Sequence, residues 1–170
     1  MGNDLLVPVD LDRHLYGARA APVRVLEYGD FQCPYCRAAA PVLRELVDAS
    51  DGRVGLVFRH FPLFTVHPSA LTAALAAEAS GDRFWPMHDL LFTHQDRLTD
   101  DDLAAYGARI GVRDVVGEPA QAVRSAIVAD YRAGVADGVR STPALFIAGE
   151  RYTGRVRLSA LREAVGEPNS

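Results

Sequence analysis

The two cysteines of this chain stand two residues apart, in Glu27-Tyr28-Gly29-Asp30-Phe31-Gln32-Cys33-Pro34-Tyr35-Cys36, and this spacing constrains the fold more than any other feature. Ahead of them, Val23-Arg24-Val25-Leu26 is a short apolar run of strand type. Behind them, Ala38, Ala39, Val42, Leu43, Leu46 and Val47 recur as one face of a helix. The pair therefore falls where a strand ends and a helix begins. Pro34 suits the first helical turn, where its missing N–H is not needed. Free N–H groups at a helix start favour negative charge, so the first thiol should be solvent-accessible and ionise readily. A thiolate beside a second thiol is a reversible two-electron switch.

The rest of the composition narrows the setting. At 170 residues and 49% hydrophobic, the chain is long enough for one domain with a real core. A net charge of -4 gives no footprint for nucleic acid or an anionic membrane. No apolar run approaches the roughly 18 residues of a membrane span. The start, Met1-Gly2-Asn3-Asp4-Leu5-Leu6, lacks a basic region followed by an apolar one. The expectation is a cytoplasmic protein, or a periplasmic or otherwise extracytoplasmic one if this is a mature form. Two cysteines do not make a disulfide framework. They are one pair with one job.

Along the chain, residues 1–21 read as an entry arm with an edge strand near Leu5–Val9. Pro22–Tyr28 reads as a strand. Its alternation puts Val23, Val25 and Glu27 on one face, which places a carboxylate among apolar side chains. Pro41 should kink or break the first helix. That helix should end near Ser50-Asp51-Gly52. A second strand follows over Arg53–Phe58, joined in parallel by a right-handed crossover. From His67 to about Gly138 the pattern is helical, with three or four helices, one opening on Asp100-Asp101-Asp102. Ser141-Thr142-Pro143 then leads into Ala144–Ile147. Gly149 turns the chain and Arg151-Tyr152-Thr153 runs back as a hairpin. Leu158, Leu161 and Val165 line a last helix. The order is βαβ, a helical block, then ββα. The chain divides into residues 1–66 with 139–170, and an inserted all-helical subdomain over 67–138. A C-x-x-C pair in a βαβ setting reads as a thioredoxin-like redox site.

Four stretches resemble the DsbA-like branch of thioredoxin-fold oxidoreductases. They are Val25–Cys36, Arg59-His60-Phe61-Pro62-Leu63, Arg83–Phe92, and Ser141-Thr142-Pro143-Ala144-Leu145-Phe146-Ile147. Together they cover the chain from about residue 16 to 165. The resemblance implies an α/β thioredoxin fold around a mixed sheet, with a helical insertion. It implies dithiol–disulfide exchange with protein substrates, in which Cys33 attacks and Cys36 resolves. It implies that Pro143 is a cis-proline facing the pair, and that Glu27 matches a buried acid beneath the site. In strongly oxidising relatives the dipeptide between the cysteines is Pro-His. Here it is Pro34-Tyr35, and strong oxidising power is not implied.

Other readings of the same residues remain open. Structural zinc would need two further N or S ligands. The chain has no third cysteine, and its five histidines, His14, His60, His67, His88 and His94, show no H-x3-5-H pair at a matching distance from the cysteines. Glu27 is either an exposed or arginine-paired strand carboxylate, or a buried acid that relays protons for Cys36. Tyr35 covers the helix start or touches substrate. Asp30, Phe31 and Gln32 form a plain turn or line the site. His60 reads as a satisfied loop histidine, and Phe84, Trp85 and Met87 as core. The expected catalytic residues are Cys33, Cys36, Pro143 and Glu27, with Pro34, Tyr35, Thr142 and Phe31 binding substrate. The expected function is a thiol–disulfide oxidoreductase without metal or organic cofactor. Its partners would be protein or peptide thiols and disulfides, and a reductase, oxidase or small thiol that recycles it. A glutathione- or mycothiol-linked reductase is the alternative in the same class. A zinc-stabilised or redox-inert interaction domain is the alternative in another, and the appended domain of a membrane transporter is a third possibility.

Overall fold

The strand that feeds the cysteine pair lies at the centre of the sheet. A computed structural model describes residues 10–167. Five strands, β1 (Leu15–Tyr16), β2 (Val23–Gly29), β3 (Val54–His60), β4 (Ala144–Ile147) and β5 (Glu150–Tyr152), stand in the order β1-β3-β2-β4-β5. β2 and β3 are parallel, and the pairings of β1 with β3, β2 with β4 and β4 with β5 are antiparallel. The sheet is thus mixed. The helix α1 (Pro34–Asp48) makes the crossover between β2 and β3. Five helices separate β3 from β4: α2 (Ala70–Ala79), α3 (Phe84–Thr93), α4 (Asp100–Arg109), α5 (Gly117–Gln121) and α6 (Arg124–Ala136). The helix α7 (Leu158–Ala164) closes the chain.

Alternation along β2 sorts the core into two sides. Val25 packs with Leu56 and Leu145 against Leu43 and Leu46 of α1 and Leu161 of α7. Leu26 and Tyr28 point the other way, into a cluster with Val57, Phe61 and Phe146. A third cluster joins Cys33, Cys36 and Phe58 to Ala73, Ala77, Phe84, Met87 and Leu91 of α2 and α3. The Ala-rich face of α2 permits this close approach. The helices between β3 and β4 therefore share a core with the cysteine pair.

Several details differ from the sequence reading. β3 runs two residues further than Phe58, because its parallel pairing with β2 continues to Gly29 and His60. His60 is thus a buried strand residue and not a loop histidine. Pro41 sits inside an unbroken α1. The proposed strand near Leu5–Val9 lies outside the described residues. The helical block contains five helices rather than three or four. The hairpin turn carries Ala148 and Gly149 at φ 50° and 86°, and two left-handed residues match the twist of the flanking strands. Thr99 and Asp102 cap α4 reciprocally, so the acidic run opens that helix as expected.

Candidate active site

The turn between β2 and α1 is built from local hydrogen bonds. Gly29 ends β2 where a Cβ would stand 2.4 Å from the Phe58 ring, so only glycine fits. The Asp30 carboxylate is buried and fully used. Oδ1 accepts from the Gln32 N–H at 2.7 Å. Oδ2 accepts from the Leu63 N–H and lies against His67 Nδ1, both at 2.8 Å. The Asp30 carbonyl accepts from the Cys33 N–H at 3.1 Å. Cys33 is the N-cap of α1, with extended φ and ψ of -75° and 122°, and Pro34 follows in the first turn.

This geometry separates the two thiols. The Cys33 thiol is lowered to about 5, chiefly by a hydrogen bond from the Cys36 thiol. Burial opposes the shift; Thr142 and the backbone N–H groups of Cys36 and Tyr35 reinforce it. Cys36 is raised well above an ordinary thiol, first by burial, then by its bond to Cys33 and by the charge of Glu27. Both thiols are free.

The Thr142–Pro143 peptide is cis, and the Cys33 thiol donates to the Thr142 carbonyl at 3.5 Å. The Thr142 hydroxyl is buried without another partner, which leaves it available to a thiolate. Glu27 is fully buried, and neither carboxylate oxygen has a hydrogen-bond partner. Desolvation, and then the charge of Cys33, push its carboxyl up to about 8.

The structure thus gathers Cys33, Cys36, Thr142, Pro143 and Glu27. Pro34 and Tyr35 are exposed, Tyr35 at 74%. Two placements differ from expectation. Phe31 is not on the surface that a substrate would meet. It is 1% exposed and stacks on Phe58 at 5.1 Å, because an apolar ring beside the α2–α3 core gains more from burial than from water. Cys33, expected to be solvent-accessible, is only 3% exposed beneath the Thr142 loop. Asp30, read above as part of a plain turn or of the site lining, is the hub of the turn. One residue went unread: Gln95, just after α3, donates from Nε2 to the Phe31 and Cys33 carbonyls at 2.9 and 2.8 Å.

Among the described residues, one group has the makings of a metal site: His14, His60 and Glu78. Both histidine Nε2 atoms lie on Glu78 Oε2, at 2.7 and 2.9 Å. Arg13 bonds the other carboxylate oxygen at 2.8 Å and stands 3.5 Å from His14 Nε2. A guanidinium already neutralises the carboxylate there, and the group reads as an ion-pair network. It does not include the cysteines.

A cysteine pair on a strand-to-helix turn, opposed by a cis-proline loop on a mixed sheet, defines a thioredoxin fold with a dithiol site. A family model described as Thioredoxin matches residues 10–167, and the chain belongs to that family. The thiol-disulfide exchange protein alpha-DsbA2 from Wolbachia pipientis superposes with a TM-score of 0.80 at 22% identity, covering 96% of this chain and 89% of that one. A periplasmic thioredoxin-like protein from Salmonella enterica serovar Typhimurium gives 0.74 at 24% identity, covering 95% and 91%. The Na(+)/H(+) antiporter NhaA 1 of Salinispora arenicola is 45% identical over 170 residues, which is 95% of this chain and 26% of that protein. The chain spans about a quarter of the length of the curated relatives it matches.

Proposed function

We propose that this chain is a thiol–disulfide oxidoreductase acting on protein or peptide thiols through Cys33 and Cys36. The observation that carries the reading is the free pair Cys33 and Cys36 at the start of α1, with the Cys33 sulfur 3.5 Å from the carbonyl of the cis Thr142–Pro143 peptide; the lowering of Cys33 and raising of Cys36 agree with it. Cys33 thiolate attacks a substrate disulfide, forms a mixed disulfide and releases one substrate thiolate. Cys36 then loses its proton and attacks the Cys33 sulfur. The second substrate thiolate leaves, the substrate is reduced and the Cys33–Cys36 pair is oxidised. The reverse sequence oxidises a substrate dithiol. Glu27, with a carboxyl raised to about 8, takes the proton from Cys36 when it is ionised. Thr142 offers backbone groups to an extended substrate, Pro143 walls the site, and Pro34 and Tyr35 meet the incoming chain. Residues 67–138 act as an inserted subdomain that covers the pair.

The first test is the pH dependence of Cys33 alkylation. The expected midpoint is near 5, about three to four units below a free thiol. A midpoint at the free value would remove the nucleophile.

The relatives named antiporters are far longer than this chain, and no helix among the described residues is long and apolar enough to cross a membrane. We assign exchange chemistry, not antiport, to this stretch. An extracytoplasmic setting suits it better than the cytoplasmic one expected above, since one structural neighbour is described as periplasmic. A second reading, reduction of small-thiol mixed disulfides, draws on an open cavity of about 620 Å³ beside α1, lined in part by Arg37, Arg44 and Phe92 but by neither cysteine. Comparing turnover of a peptide disulfide with that of a glutathione mixed disulfide separates the two.

A further inference from the structure

The turn that carries Cys33 is gripped from outside the sheet. Gln95 follows α3 and lies 62 residues from Cys33 in sequence. Its side-chain nitrogen reaches two carbonyls of the turn, Phe31 O at 2.9 Å and Cys33 O at 2.8 Å. Gln32 Oε1 accepts from the Ser69 N–H at 2.8 Å, at the start of α2. The Asp30 carboxylate holds Leu63 and His67 on the segment that enters α2. Side chains at 30, 32 and 95 therefore tie the turn to the region between β3 and β4.

We propose that Gln95 is a positioning residue of the dithiol site, through which the helices between β3 and β4 set the reactivity of Cys33. This rests on the exchange reading above. The Cys33 carbonyl is the first acceptor of α1 and takes the Arg37 N–H at 3.1 Å. A second donor on that oxygen fixes the rotation of the peptide that follows Cys33. That rotation decides whether the N–H groups of Tyr35 and Cys36 aim at the sulfur. Gln95 also holds the Phe31 carbonyl, so one amide sets both sides of Gln32. Removing its donors frees the first turn of α1 to rotate and weakens every bond to the thiolate. The Gln95 side-chain hydrogen bonds go to the Phe31 and Cys33 carbonyls, so it acts through the backbone.

The experiment compares Gln95→Met, of similar length and without donors, with Gln95→Lys, which keeps N–H donors. The readouts are the pH midpoint of Cys33 alkylation, near-ultraviolet circular dichroism as a check of folding, and turnover of a peptide disulfide. Gln95→Met is expected to raise the midpoint by about one unit, which is about tenfold less thiolate below the midpoint. Gln95→Lys, read at high salt so that its charge is screened, is expected to restore most of it, a rescue that a space-filling role would not give. A folded Gln95→Met protein with an unchanged midpoint overturns the proposal. If Gln95→Met does not fold, a folded Gln95→Lys protein whose midpoint has moved as far as an unbonded turn requires overturns it equally. The unaltered protein separates the two claims. Absence of turnover there removes the exchange reading, whereas normal turnover with a flat midpoint across the variants removes only the role of Gln95.

Discussion

Replacing Cys33 by serine is expected to reduce disulfide exchange to the uncatalysed background, while Cys36→Ser traps substrate on Cys33. The asymmetry follows from the thiol split. At neutral pH a thiol lowered to about 5 is almost wholly thiolate, and the thiolate is the attacking species. Cys36 is buried and raised, so it is protonated and cannot begin the reaction. It can only resolve a disulfide already formed on its neighbour. Cys33→Ser removes the nucleophile and leaves a buried thiol with no route to substrate. Cys36→Ser leaves the nucleophile without its resolving partner. Mixed disulfides should then accumulate on non-reducing gels and disappear with added dithiol. Removing Cys36 also removes the largest contribution to lowering Cys33, so its alkylation midpoint should rise. Trapping on Cys36 in the Cys33→Ser protein would reverse the assignment.

The second large effect is one of stability. Glu27→Gln is expected to make the protein more stable, by an amount that grows with pH. The Glu27 carboxyl is raised from 4.5 to about 8, mostly by burial. An acid whose folded pKa is raised favours folding fully below its unfolded pKa. That contribution is lost as pH rises through the folded value. Between pH 4.5 and 8 the parent therefore loses a contribution of roughly 5 kcal/mol from this residue, and roughly 3 kcal/mol by pH 7. Glutamine carries no charge and escapes the loss. Cys33 works in the opposite direction, since its lowered pKa stabilises the fold as pH rises. The parent profile mixes the two, and the difference between variant and parent reports Glu27 together with its coupling to Cys33 and Cys36. Urea unfolding of both reduced proteins at pH 5, 7 and 9 should show near-equality at pH 5 and a widening gap above it. A gap that stays constant with pH would mean that Glu27 is not a buried acid. If Glu27 accepts the Cys36 proton, the more stable variant should also release mixed disulfides more slowly.

The cysteine turn, the crossover and the terminal hairpin were legible because each rests on local chemistry. Pro34 at a helix start, alternation through Val23, Val25 and Glu27, and Gly149 in a two-residue turn act over a few residues. The burial of Glu27 followed from the same alternation. The errors have physical causes too. β3 reaches His60 because pairing with β2, and not local propensity, sets its end. Pro41 is tolerated within α1, where a proline reading alone expects a break. Phe31 was placed near substrate by its position in the motif, but the α2–α3 helices supply the aromatic surroundings that bury it. The partners of Asp30 Oδ2 lie 33 and 37 residues away, and Gln95 lies 64 residues from Phe31. No periodicity or spacing signals such contacts, and only the folded chain brings them to the turn.

Cys33 and Cys36 are expected to form one reversible two-electron couple. Equilibrating the purified protein with glutathione buffers of graded potential, then counting free thiols after an acid quench, tests it directly. The expected result is loss of both thiols together in a two-electron transition. Its midpoint should lie between about −270 mV for thioredoxin and about −120 mV for a strong oxidant, given a helix-start thiolate without a histidine in the dipeptide. Thiols that are lost independently, or that never pair at any potential in the series, would contradict the account.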